Sequence, residues 1–100
     1  MFSLTKERIK NEVADSIEIY KRGESIFKTG NYHLKEAAFD RQSFRYDVDG
    51  RYGDYDVSVD FKDGEIQSAC TCPYGNGCKH IAAVCLDILE RVARFETEGE

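Results

Sequence analysis

The chain has 100 residues, a formal net charge of −5 at pH 7, four cysteines and a single proline. This length suits one domain with a modest hydrophobic core, to which a bound metal would add useful stability. The acidic balance is unfavourable for a protein whose main ligand is a polyanion. No apolar run is long enough to span a membrane and no signal segment follows Met1, so we expect no membrane partner and an intracellular protein, cytoplasmic or nuclear, with reduced cysteines.

The first predicted element is an amphipathic helix that starts near Thr5. Apolar side chains recur in it at spacings of four, four and three residues: Ile9, Val13, Ile17 and Tyr20. This spacing places them on one face of a helix, with polar residues opposite. Asn11 or Asp15 could cap a later start. Gly23 either ends the helix or permits close packing before a further turn, and Gly30 stops whatever remains.

Beyond Gly30 the apolar residues recur every second position, which predicts strands. Alternation runs over 32–39, 44–49 and 55–62. Asp63-Gly64 is a strong signal for a tight hairpin turn, and it leads into a fourth segment at 65–72. Together these segments predict a small antiparallel sheet of three to four strands.

Four residues that bind soft metals fall close together after the last predicted strand: Cys70, Cys72, Cys78 and His80. Residues two apart on an extended strand point to the same face, so Cys70 and Cys72 can reach one ion. The intervening Pro73, Gly75 and Gly77 favour a tight reversal of the chain. We place Cys78 in the turn and His80 in the first turn of a helix. Three thiolates and one imidazole complete a tetrahedral set, which predicts one structural Zn²⁺, no position for a catalytic water and no enzymatic activity.

The last predicted element is a helix with a broad apolar stripe after His80. Its members are Ile81, Val84, Cys85, Leu86, Ile88, Leu89 and Val92. Cys85 lies on this stripe and is interpreted as a small buried hydrophobe rather than a fifth ligand. His33, far from the cluster in sequence, is also left outside the metal site. The predicted fold class is therefore α+β, with an N-terminal and a C-terminal helix flanking the sheet and the zinc site between the last strand and the last helix.

The C-x-C-x5-C-x-H pattern followed by an apolar helix resembles the SWIM zinc finger family, and all four ligand positions match. Weaker similarity extends upstream, over Lys21-Arg22-Gly23, Ile26-Phe27, Gly30, 44–50 and 55–59. The resemblance implies a single SWIM-type domain over 1–95, with a zinc finger core at about 54–93. The acidic composition of 96–100 predicts a disordered tail. The resemblance also implies a role in DNA-related complexes, such as DNA repair. Family members include partners of RecA-type recombinase paralogs, chromatin-remodelling ATPases and transposases, so the implied partner is a RecA-type recombinase paralog or a remodelling ATPase.

Charge is distributed unevenly along the chain. A basic segment between Tyr20 and Arg45 supplies the candidate nucleic-acid-binding residues Lys21, Arg22, Lys28, Arg41 and Arg45, together with Lys35, against three acidic residues. DNA binding needs several convergent cations, so we predict protein binding first and weak DNA contact second. The outward parts of the first and last helices are the predicted docking surfaces. The alternatives are a DNA-binding module that uses the basic segment, or a thiol redox protein that uses Cys70 and Cys72.

Overall fold

The structure, a computed structural model, describes residues 4–38, 41–50, 53–73 and 77–98, with the backbone alone over 94–98. The helices are α1 (Lys6–Arg8), which continues as a π-helical stretch (Ile9–Val13), α2 (Ile17–Thr29) and α3 (Lys79–Glu98). The strands are β1 (Tyr32–Ala38), β2 (Ser43–Gly50), β3 (Gly53–Lys62) and β4 (Glu65–Cys70). Within these ranges no helix combines the length and apolarity that a membrane crossing needs. α3 reaches Glu98 and so enters the segment expected to be a disordered tail.

The N-terminal helical pattern is broken, which corrects the prediction of one helix from Thr5. The segment 4–16, called the N-terminal arm below, contains α1 and the π-helical stretch and then turns to an extended backbone at Ala14. α2 starts afresh because the side chain of Ser16 caps it by accepting a hydrogen bond from the backbone of Ile19. Periodicity alone could not show the break, because buried apolar residues lie before it, at Ile9 and Val13, and after it, at Tyr20.

The four strands form one antiparallel sheet in the order β1-β2-β3-β4, which confirms the predicted sheet. Asp63 and Gly64 both have positive φ angles, as the two-residue hairpin turn between β3 and β4 requires. Alternate residues of the two central strands point into the core: Phe44, Tyr46, Val48, Val57, Val59 and Phe61. The opposite face of the sheet, called the open face below, carries polar residues.

α3 is the centre of the molecule. Every residue from His80 to Ile88 is buried, which is possible only if the helix is covered all round. It contacts β3 and β4, the π-helical stretch and, most extensively, α2. α2 packs on α3 rather than on the sheet. Between His80 and Ile88 the chain's own elements cover the helix, so the prediction of an outward surface free for a partner is wrong over these residues.

The crossing of α2 over α3 depends on small residues. A Cβ atom at Gly23 would lie 2.6 Å from the Cβ of Ala82 and 3.1 Å from the backbone nitrogen of Ala83. The two helix backbones therefore approach closely at this point. Of the two roles considered for Gly23, the structure assigns close packing, since α2 continues through it to Thr29.

A buried carboxylate connects α3 to the sheet. Asp87 accepts hydrogen bonds from the hydroxyl of Tyr46 and from that of Tyr32 at 3.0 Å, and it pairs with Arg91 one turn later. The Tyr32 hydroxyl also lies 3.4 Å from the carbonyl oxygen of Phe27, near the end of α2. Burial and the neighbouring Asp87 both raise the pKa of the Tyr46 and Tyr32 hydroxyls. This network, which we call the Asp87 cluster, satisfies the buried carboxylate and fixes β1 and β2 against α3.

Candidate metal centre

The four predicted ligands converge at the junction of β4, the following loop and α3. One ligand atom from each of Cys70, Cys72, Cys78 and His80 lies within 4.8 Å of all the others. Cys70 is half-buried, and the other three are buried. Cys78 immediately precedes α3 and His80 lies in its first turn, as the spacing predicts.

The distances fit a tetrahedral Zn²⁺ site. The Nδ1 atom of His80 lies 3.8 Å from the Cys70 sulfur and 3.7 Å from the Cys78 sulfur. Bond lengths of about 2.3 Å for Zn–S and about 2.0 Å for Zn–N give tetrahedral S···N edges of about 3.5 Å. The donor set therefore matches the size of this ion, with Nδ1 as the imidazole ligand. The Cys3His group can hold one zinc ion.

Backbone contacts to neighbouring elements set the positions of the ligands. Between the first two cysteines, the N–H of Thr71 donates to the carbonyl oxygen of Asp56 at 3.1 Å, and the N–H of Asp56 donates to the Thr71 hydroxyl at 3.0 Å. These bonds continue the β3–β4 ladder beyond Cys70. On the other side, the N–H of Asp15 donates to the carbonyl oxygen of Gly77 at 3.1 Å. The N-terminal arm therefore braces the loop just before the third ligand, a contact that the sequence did not reveal.

Cys78 is electrostatically suited to be a thiolate. A hydrogen bond from the Cys70 thiol lowers the pKa of Cys78 most, and hydrogen bonds from His80 and from the backbone of Ile81 lower it further. Conversely, the same interaction with Cys78 raises the pKa of Cys70, and burial adds to this effect. Cys78 also begins α3, because its carbonyl oxygen accepts from the N–H of Ala82 at 3.2 Å. The metal ligand and the first hydrogen bond of the central helix thus belong to one residue.

A small cavity lies beside the metal ligands. Its volume is about 240 Å³. The described residues that line it are Ile19, Arg22, Tyr55, Cys72, Pro73, Cys78, Lys79 and His80. The Tyr55 ring packs on the His80 ring, with centroids 4.9 Å apart and planes inclined by 42°. We call this space the Tyr55 cavity. Sequence analysis assigned no functional role to Tyr55 or Lys79. Lys79 lies between two ligands in the sequence, whereas only the fold brings Tyr55 to them.

The predicted basic residues do not form one group. Lys21, Arg22 and Lys28 are exposed on α2, and Arg41 is exposed in the connection between β1 and β2. Arg45 lies on the open face and pairs with Asp60 at 3.3 Å. The sheet separates it from α2, which packs on α3 against the other face.

Lys35, the sixth base of the segment, is neutralised by two neighbouring carboxylates. Its ammonium lies 3.1 Å from Asp56 and 3.3 Å from Asp47 on the open face. Hydrogen bonds to these two carboxylates raise the pKa of Lys35 and keep it protonated.

Cys85 and His33 lie outside the metal site. Cys85 is fully buried in α3, and burial raises the pKa of its thiol. This confirms its interpretation as a core residue. His33 is exposed on β1.

The geometry defines a zinc-binding module whose metal is held between a hairpin and a helix. Residues 55–89 match the family model of the SWIM zinc finger, which confirms the resemblance over this part of the chain. The match covers β3 from Tyr55, β4, the metal loop and the first half of α3. The similarity proposed upstream of Tyr55 lies outside it. No curated protein and no solved structure matches the chain.

Proposed function

We propose that this protein is a zinc-stabilised, non-catalytic interaction module that binds a protein partner first and DNA only weakly. The observation that carries the proposal is the closed donor set, because three thiolates and one imidazole fill a tetrahedral ion and leave no position for a reacting water. A thiol redox reaction would need free thiolates. Metal ligation by all four groups consumes them, which disfavours the redox alternative for Cys70 and Cys72.

The placement of the bases favours protein over DNA. Binding to a phosphate backbone needs several cations along one track. Here Arg45 and Lys35 are paired with carboxylates on the open face, while the bases of α2 alternate with Glu18 and Glu24. The family resemblance suggests partners in DNA-related complexes such as DNA repair, including RecA-type recombinase paralogs and remodelling ATPases. A reducing, intracellular location follows from the need to keep three ligand thiols reduced.

The test is affinity purification of the tagged full chain from its native cells, with half of each lysate treated with nuclease. We expect a co-purifying protein that survives nuclease treatment with wild type and is lost with Cys78→Ala, while Cys85→Ala retains it. Titration of the zinc-loaded protein with single- and double-stranded DNA near physiological salt supplies the second arm. Submicromolar, steeply salt-dependent DNA binding that is lost on charge reversal of Arg41 and Arg45 would overturn the proposal.

A further inference from the structure

The Tyr55 cavity combines an apolar interior with cations at its rim. Ile19, Tyr55 and Pro73 supply apolar surface, and the buried Cys72, Cys78 and His80 contribute to the lining. Arg22 is exposed and Lys79 is half-buried. Within the described parts of the chain neither side chain makes an ion pair. An apolar recess with two available cations is complementary to an apolar group that carries a nearby negative charge.

The size of the cavity restricts its occupant. A volume of about 240 Å³ is below the range of about 300–1,000 Å³ that is usual for drug-sized ligands. It suits one amino-acid side chain. Tyrosine and arginine, both present in the lining, are enriched, with tryptophan, among the residues that dominate binding energy at protein interfaces.

We propose that the Tyr55 cavity binds an acidic segment of a partner protein, with one apolar side chain in the cavity and a carboxylate on Arg22 and Lys79. This proposal rests on the proposed function and names the surface and the partner chemistry for it. A nucleic-acid strand is the less favoured occupant. Among the residues that the structure describes, only Arg22 and Lys79 bring a cation to the cavity. The flanking surface of α2 carries Glu18 and Glu24 among its bases, so successive phosphates would meet acidic side chains.

The experiment selects peptides from a random library displayed on phage against the zinc-loaded full chain. We expect the enriched peptides to share an apolar residue flanked by Asp or Glu. A fluorescent copy of the best peptide should bind Arg22→Glu at least about tenfold more weakly than wild type, because a hydrogen-bonded charge pair is lost and a repulsion is added.

Lys28→Glu is the matched control, since it makes the same charge change on the same helix but outside the cavity. It should weaken the peptide less than about twofold, and its effect should disappear at high salt. Zinc content and thermal unfolding of both variants should equal those of wild type, because both positions are exposed. Amide chemical shifts perturbed by the peptide should cluster around Arg22, Tyr55 and Lys79.

Three results would overturn the proposal. The first is the absence of enriched peptides. The second is equal loss of peptide binding in Arg22→Glu and Lys28→Glu. The third is a set of amide chemical-shift changes centred on Ser58 and Ala69 of the open face. Tighter binding of a labelled oligothymidine than of the peptide, abolished by Arg22→Glu, would assign the cavity to nucleic acid. If wild type and Arg22→Glu captured a nuclease-resistant partner equally, the partner would not bind at the Tyr55 cavity. The proposed function would then stand without this proposal.

Discussion

Cys78 has two structural roles in this protein, because it is a metal ligand and also begins α3. Its sulfur belongs to the Cys3His group and its carbonyl oxygen accepts the first hydrogen bond of α3. Loss of the side chain would therefore remove a zinc ligand at the point where the central helix starts. Cys85, about two turns later, is equally buried but lies outside the donor set.

We expect Cys78→Ala to abolish tight zinc binding and Cys85→Ala to leave one zinc per chain. Cys85→Ala should cost only about 1 kcal/mol of stability, the price of one small buried group. Zinc per chain measured by atomic emission, together with urea unfolding, gives both quantities. Loss of zinc from Cys85→Ala would show that the ligand set is wrong.

Gly23→Ala should destabilise the zinc-loaded protein by about 1–2 kcal/mol. Alanine improves helix propensity by about 1 kcal/mol, whereas overpacking costs about 1–3 kcal/mol. The upper part of that range, about 2–3 kcal/mol, applies here because the new Cβ would meet the helix backbone as well as Ala82. Ser25→Ala, exposed on the same helix, is the control and should be neutral or slightly stabilising. Urea midpoints compare the variants, and a Gly23→Ala protein as stable as wild type would contradict the close crossing.

At the scale of elements, the sequence revealed the hairpins and the metal ligands because both are local. Asp63-Gly64 specifies its turn, and Cys70 to His80 lie within one short stretch. The sequence did not reveal which element would be covered on all sides. A periodic pattern tells which face of a helix is apolar but not what covers it, so the burial of α3 by α2 was missed. The small residues Gly23, Ala82 and Ala83 were the available signal.

The Asp87 cluster was missed for the same reason, since Tyr32 and Tyr46 are distant from Asp87 in sequence. It predicts an alkaline loss of stability. The folded-state pKa of Tyr46 is raised above the unfolded value of about 10. Its contribution to the free energy of unfolding is therefore fully present below about pH 10 and is lost as pH rises further. Above that pH, each tyrosine that stays protonated only in the folded protein should lower the free energy of unfolding by about 1.4 kcal/mol per pH unit.

Tyr46→Phe tests this expectation. Its free energy of unfolding should be lower than that of wild type at neutral pH, and it should decline less steeply above about pH 10. Urea unfolding of the zinc-loaded proteins at a series of alkaline pH values gives the two curves. Parallel curves would mean that Tyr46 ionises as readily in the folded protein as in the unfolded chain.

For the whole molecule, the buried core and the metal site share residues. Cys72 and Cys78 belong to the same hydrophobic cluster as Ile9, Val57 and Ile88. A small domain has a total stability of about 5–15 kcal/mol, and structural zinc contributes apparent binding free energies of about 10–16 kcal/mol in zinc-finger peptides. The metal is therefore expected to decide whether the protein is folded.

We expect a strong chelator to unfold the protein, with loss of helical circular dichroism and of the cooperative thermal transition. Restoring zinc should restore both. Cys85→Ala should respond as wild type does, which excludes oxidation of Cys85 as the cause of unfolding. A metal-free chain that keeps its full helical signal and melting temperature would refute the structural role of the ion.

The central position of α3 also has a consequence for synthesis. All four strands and α2 leave the ribosome before α3, because translation proceeds from the N-terminus. Until then the apolar faces of β2 and β3 have no helix to cover them. The last zinc ligand, His80, emerges with the first turn of that helix. Metal capture by the nascent chain and completion of the core therefore fall within the same brief interval, at which chaperone protection would matter most.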